Sequence, residues 1–172
     1  MGSLVLTGDT SGSVTVAVPA VAGTNTATFP AATGTVMVAG NMPAFSAYQS
    51  SAQTLSGSTD TKILFQTEEF DTNSNFTSST FTPTVAGYYQ VSSSIRMGTT
   101  ATSVRMMIFK NGTKYKIGTD VNTTVNNGFI STLVYCNGTT DYIESYANIA
   151  VGQALSASSS DTWFNGCLVR GA

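Results

Sequence analysis

From Ala44 to the C-terminus the sequence is a succession of short runs of β-branched and aromatic residues separated by polar turns, and no window carries the 3.6-residue apolar period of a helix. The runs that qualify as strands are 45–50, 62–70, 88–97, 104–110, 114–121, 129–136, 142–149 and 163–170. Asn-Gly pairs begin at Asn111, Asn127, Asn137 and Asn165. Asn-Gly supplies the two positive φ angles of a type I′ turn, and Asn111-Gly112 sits between two such runs, so a hairpin is predicted there. Asn165-Gly166 falls inside the last run, where a bulge or close packing is expected instead of a turn. Strands at roughly ten-residue spacing without helices point to an antiparallel sandwich. A chain of 172 residues has a length that permits burial of about two-thirds of the unfolded surface, so one domain can form without staples.

Charge is scarce. Seven Lys and Arg and nine Asp and Glu make up 9% of the chain, and none lies between Thr10 and Thr59; an ordinary domain carries about 25%. This removes the basic patches that hold phosphate backbones, so no nucleic-acid partner is expected. Solubility falls instead to small hydroxyls, supplied by 21 Ser and 28 Thr. With 41% hydrophobic residues and a net charge of −2, the composition is not that of a disordered chain.

Without histidine there is no Ser-His-Asp triad, no Cys-His pair and no imidazole metal site. Cys136 and Cys167 are too few for a Cys-rich zinc site, and a single pair does not reveal the redox compartment. No run approaches the roughly 18 apolar residues of a membrane span; the best stretch, 14–22, is broken by Thr15 and Pro19. The N-terminus lacks the basic region of a secretory signal, and Met1-Gly2 fails as a myristoylation site because Leu6 stands where Ser or Thr is required.

Residues 1–42 form a separate segment in which Val, Thr and Ala alternate between Gly and Pro. Val14, Val16 and Val18 would share one apolar face that forty residues cannot bury alone. The segment therefore needs neighbours, from the main domain or from other copies. Pro43 marks the start of the main domain, 43–172.

Within that domain PAFSAYQSS, KILFQTEEFDTNSNF, FTPTVAGYYQVSSSI, IFKNG, LVYCNGTTDYIES and WFNGCLVRG occur in order. Together they resemble the globular head of the complement-component-1q-like family, whose jelly roll is shared with the tumour necrosis factor family, with Phe164, Gly166 and Leu168 in the family's F-x-G-x-L positions. The segment before it is similar to the Gly-, Thr- and Ala-rich β segments of bacteriophage fibres and other virion proteins, in TSGSVTV and TATFPAATGTVMV; the collagen repeat of animal members is absent. The resemblances imply an all-β, ten-stranded antiparallel jelly roll that forms a homotrimer. It would stand on a short N-terminal β stalk attached to other virion proteins through residues 1–42. The implied function is that of a non-enzymatic protein of the phage particle surface, a fibre or tail-fibre tip whose head binds a host surface glycan or protein. The alternative is a capsid decoration or head-fibre protein that reads no receptor. A bacterial secreted module would require an export route that the N-terminus does not show.

Alternation in GYYQVSSSI places Tyr89, Val91, Ser93 and Ile95 on one face and Tyr88 and Gln90 on the other. Under the resemblance the second face would be the trimer contact, joined by Cys167 and Val169 opposite Phe164, Gly166 and Leu168. Cys136 would take a buried apolar position, leaving the two thiols on different faces and unpaired. Lys110, Asn111, Lys114 and Tyr115, with Lys116, form the densest cationic spot, at the predicted hairpin. They read either as a receptor-facing loop or as lysines guarding an exposed edge. Glu68, Glu69 and Asp71 are the one acidic cluster. Calcium, bound by some members of the resembled family, is the single cofactor they admit, but there is no calcium-loop motif, and a solvated strand end with Asp71 capping the turn is the favoured reading. Asp141 and Glu144 are three apart on a strand, hence on opposite faces, and cannot work as a glycosidase pair locally. Trp163 reads as a sugar platform or as packing at the sandwich end. The Asn-x-Ser/Thr triplets at Asn75, Asn111, Asn122 and Asn137 are expected by chance in so threonine-rich a chain.

Overall fold

The computed structural model describes residues 3–17, 19–21, 23–24, 26, 28, 31 and 36–172. The chain divides into two compact units, Met1–Gly34 and Thr35–Ala172. In the first, β1 (Ser3–Thr7) and β2 (Ser13–Ala17) pair as an antiparallel hairpin. Its turn is closed by the Gly8 N–H donating to the Gly12 carbonyl at 3.0 Å. Leu4 lies opposite Val16 and Leu6 opposite Val14, so four apolar side chains share one face, and all four are exposed. A two-stranded ribbon has no second layer to cover such a face. The expected third valine of the stripe, Val18, the Met1-Gly2 dipeptide and residues 27, 29, 30 and 32–35 of the TATFPAATGTVMV stretch lie outside the described residues.

The second unit opens with a single 3-10 turn, Ala39–Asn41, tied by the Val38 N–H donating to Asn41 Oδ1 at 2.7 Å. Strands follow as β3 (Ala44–Tyr48), β4 (Thr54–Leu55), β5 (Thr61–Lys62), β6 (Thr67–Asp71), β7 (Phe76–Thr77), β8 (Thr80–Phe81), β9 (Gly87–Ala101), β10 (Val104–Lys110), β11 (Thr113–Val121), β12 (Val125–Cys136), β13 (Ile143–Ile149), β14 (Gln153–Ala154) and β15 (Trp163–Gly171). One sheet has the order β12-β9-β15-β3-β6, the other β11-β10-β13-β8-β7 with β5 added to β13, and β4 pairs with β14. All these pairings are antiparallel. The two sheets make the expected antiparallel jelly roll, with ten strands in the two orders and the two-residue β5 as an eleventh.

Phenylalanines dominate the centre of the core. Phe45 stacks on Phe76 and Phe81 with centroids at 4.8 and 4.3 Å, and meets Phe164 edge-on at 5.0 Å. Gly166 keeps this contact open: a Cβ there would lie 2.8 Å from Val91 Cγ1 and 3.0 Å from Phe45 Cε1. Close packing, not a turn, therefore explains the Asn165-Gly166 pair, and the bulge in β15 falls at Val169.

One expected strand is two. The run 62–70 splits because Lys62 pairs with Tyr146 in the β13 sheet whereas Thr67 pairs with Tyr48 in the β3 sheet. Between them Ile63 and Phe65 are both buried and their amides bond to the Ser145 carbonyl and the Ser79 hydroxyl. Apolar alternation continues through the crossover because both sheets bury toward the same core, so a period of two does not register the change of sheet.

Candidate functional site

The sheet β12-β9-β15-β3-β6 has one face in the core and one open. In β9 the side chains of Tyr89, Val91, Ser93 and Ile95 are buried while Tyr88, Gln90, Ser92 and Ser94 face outward. In β15 Phe164, Gly166 and Leu168 are buried and Cys167 is exposed. The structure thus brings Tyr88, Gln90 and Cys167 onto one surface, with Cys167 directly opposite Gln90. Val169 is the bulged residue at its edge and 60% exposed. Sequence reasoning missed Phe129, Leu133 and Tyr135 of β12, which complete this surface. Tyr135 lies 5.4 Å from Tyr88, and Leu133 lies opposite Gln90. A signal for them existed, since 129–136 carries large apolar residues at both parities, which a strand with one solvated face does not require. Across the rest of this surface Gln90 and Ser92 bond Ser131 Oγ at 2.8 Å each.

The β10–β11 turn has the expected type I′ character, with φ of 54° at Asn111 and 73° at Gly112. Two of its cations are paired within the chain. Lys110 Nζ pairs with Asp141 at 2.8 Å, and Lys114 Nζ with Asp60 at 2.9 Å. The Asn111 side chain is turned inward, donating to Asp141 Oδ1 at 2.7 Å and accepting the Tyr142 N–H at 2.9 Å. The Asn111 amide, then Lys110, hold the Asp141 carboxyl below its ordinary value; Lys114, then Asn148, do the same for Asp60. Tyr115 stays exposed, and its ring carries Lys116 Nζ at 5.3 Å. Lys116 makes no ion pair among the described residues.

The remaining candidates are structural in their contacts. Asp71 caps its turn, accepting the Phe76 N–H at 2.7 Å, and Glu69 accepts the Ser46 hydroxyl at 2.6 Å. Glu68, Glu69 and Asp71 do not converge, and no group of acidic, Cys or His side chains fit to hold a metal is found among the described residues. Asp141 and Glu144 are neutralised separately, the latter by Lys62 Nζ at 2.7 Å. Cys136 is buried, and burial pushes its thiol up to about 12. Of the Asn-x-Ser/Thr positions, Asn75 is buried and Asn137 Oδ1 accepts the N–H groups of Thr139, Thr140 and Asp141.

A polar cleft of about 470 Å³, unmarked by any motif, opens where β9 leaves the sheet and β15 begins, lined by Arg96, Thr99, Thr100, Asn126, Ser156 and Asp161. Arg96 Nη1 lies 3.4 Å from Asp161 Oδ1, and Asp161 Oδ2 accepts the Ser156 hydroxyl at 2.8 Å. Trp163 sits beside it across Ser94, edge-on to Phe129 at 6.1 Å.

Neither a protein-family model nor a curated protein sequence matches the chain. Solved structures do. Murine APRIL superposes with a TM-score of 0.60 at 11% identity, covering 74% of this chain and 99% of that one. The globular domain of zebrafish complement 1qA gives 0.55 at 15% identity, covering 76% and 98%. The Eiger TNF of S. frugiperda gives 0.52 at 9%, covering 76% and 93%. The second unit therefore has the tumour necrosis factor and complement-1q jelly-roll fold.

Proposed function

We propose that the protein is a non-enzymatic, homotrimeric component of a bacteriophage particle, with residues 1–42 as the attachment segment and the jelly-roll head, 43–172, as the part that binds the host cell surface. The observation that carries the trimer is the open sheet face, where Tyr88, Phe129, Leu133, Tyr135 and Val169 each leave 40 to 60% of their surface to solvent. Burying the exposed half of a large apolar side chain is worth about 1 kcal/mol, so a contact across this face would contribute several kcal/mol per copy. A contiguous apolar patch of this kind marks an association surface. A second copy of the chain fits it, since the charges nearby are few.

The virion assignment is supported by the likeness of the N-terminal segment to phage fibre β segments. Its exposed Leu4, Leu6, Val14 and Val16 stripe suits contact with sister chains or with another coat protein. A capsid decoration role without receptor binding stands beside it, favoured by the internal pairing of Lys110 and Lys114, which leaves Lys116 as the one cation of the β10–β11 hairpin without an ion pair among the described residues.

Light scattering on the purified protein tests the assembly: a mass three times the 17.9 kDa chain is expected, and a stable monomer refutes it. Adsorption competition then separates the two roles. Free protein that blocks phage attachment to cells is a receptor binder, and one that leaves attachment unchanged while binding the particle is a decoration.

A further inference from the structure

We propose that the Arg96–Asp161 cleft is a carbohydrate site that takes a neutral pyranose through neighbouring hydroxyls. The inference rests on the surface-binding reading above and names its ligand class and its residues.

The cleft is built for a ligand that is donor and acceptor at once. Asp161 is held by Ser156, and its contact with Arg96 is a single long one of 3.4 Å, with the Arg96 side chain 54% exposed. A guanidinium has five N–H donors in a fixed fork, and only Nη1 of Arg96 has a partner among the described residues. The side chains of Asn126 and of Asn127, which lines the adjoining depression with Ser94 and Ser160, make no hydrogen bond among the described residues. Guanidinium and amide donors thus stand beside a carboxylate and amide acceptors, matching adjacent sugar hydroxyls, each of which gives and receives a hydrogen bond. A volume of about 470 Å³ is within the range of small-ligand sites.

Charge and polarity select against other ligands. Arg96 and Asp161 cancel, so the cleft offers an anion no net positive charge, and the Asp161 carboxylate repels one placed beside it. Nucleic acid needs several free cations along a groove, and a protein hot spot needs a desolvated apolar anchor, whereas the cleft walls are mainly hydroxyls, an amide and one ion pair, with Met97, itself buried, as their one apolar side chain. The same polarity makes the cleft a poor trimer contact, since burying an ion pair with unpartnered amides carries a desolvation cost. The apolar half of the face, at Tyr88, Leu133 and Tyr135, has no such cost. Phe129 and Trp163, edge-on at 6.1 Å, lie at the border between the halves.

The test is a titration of the isotope-labelled full chain with methyl α-D-mannopyranoside and with N-acetyl-D-glucosamine, followed by the Asn126 side-chain amide and Arg96 Nε–H signals. Saturable shifts of both are expected, with binding about tenfold weaker or more in Asn126→Ala and in Arg96→Gln, variants whose retained melting temperature shows an intact fold. Unmoved signals with both glycosides, or variants that bind as the parent does, overturn the site. Binding of N-acetylneuraminic acid alone also overturns it, because the ligand would then be an anion. Cell competition separates the two claims. If the parent and Asn126→Ala block adsorption equally, the cleft assignment fails and the surface-binding reading stands; if glycosides bind the cleft but the parent does not block adsorption, the surface-binding reading fails.

Discussion

The hydroxyl of Ser145 in β13 donates to that of Ser93 in β9 at 2.8 Å, and both residues are fully buried. Ser93 in turn donates to the Trp163 carbonyl in β15 at 3.1 Å. One chain of hydrogen bonds therefore crosses the apolar core and ties the two sheets together. Ser145→Ala leaves Ser93 its own acceptor and should cost about 1 kcal/mol; Ser93→Ala strands the buried Ser145 hydroxyl and removes a bond to the half-buried Trp163 carbonyl, and should cost about 1–3 kcal/mol. The double variant should lose less than the sum of the two. Urea unfolding of the four proteins checks the order, and equal losses in the single variants would refute it.

Gly166→Ala puts a methyl group 2.8 Å from Val91 and 3.0 Å from both the Gln90 carbonyl and the Phe45 ring. These neighbours are a buried β-branched side chain, a backbone carbonyl and a stacked ring, so little can move aside. A loss of about 1–3 kcal/mol is expected, read as a lower unfolding midpoint, and an unchanged midpoint would show that the sheets can part at this point.

Acid should weaken the β10–β11 end first. Asp60 and Asp141 are held below their ordinary 3.8 in the folded chain, so the unfolded chain takes up these protons first. The stability they contribute is therefore complete above about pH 4–5 and is lost as pH falls through their lowered values. Asp141→Asn should flatten that fall. At the other extreme, Cys136 ionises only near 12 in the folded state against 9.0 when free, which adds a decline in stability as pH rises past 9. Unfolding midpoints measured from pH 3 to 11 check both arms.

Leu133→Glu should convert the proposed trimer to a folded monomer, because its side chain lies on the open face and outside the core. Cys167, opposite Gln90 on the same face, supplies a second readout. Alkylation without reductant should be slow at Cys167 in the parent and fast in the variant, while buried Cys136 stays unmodified in both. Rapid modification of Cys167 in a parent of trimer mass would place the interface elsewhere.

Much of the sandwich was legible in local pattern. β9, β10 and β15 appear in the sequence within a few residues of their observed ends, because alternation and β-branching act on each strand separately. The Asn111-Gly112 turn was legible for the same reason, since its two positive φ angles are a property of two residues. The two-residue strands β7 and β8 were not, as Phe76 and Phe81 are single plugs on either side of a tight Ser78-Ser79 turn with φ of 49° and 60°. They become strands only through pairing, with each other and with β13.

The candidate sites were less legible than the fold. Lys110, Asn111 and Lys114 cluster in sequence, yet the groups that neutralise or orient them, Asp60 and Asp141, come from distant segments that the sheet order brings alongside. Arg96, Asn126 and Asp161 share no motif and meet only where β9, β12 and the chain entering β15 converge. The sequence by itself determined the all-β class, the turn and the division of β9 and β15 into buried and outward faces, because backbone sterics and side-chain parity act over a few residues. Which charges are spent on one another, where the 62–70 run changes sheet and where a polar cleft opens were decided by tertiary structure alone, because each depends on pairings between residues far apart in the chain.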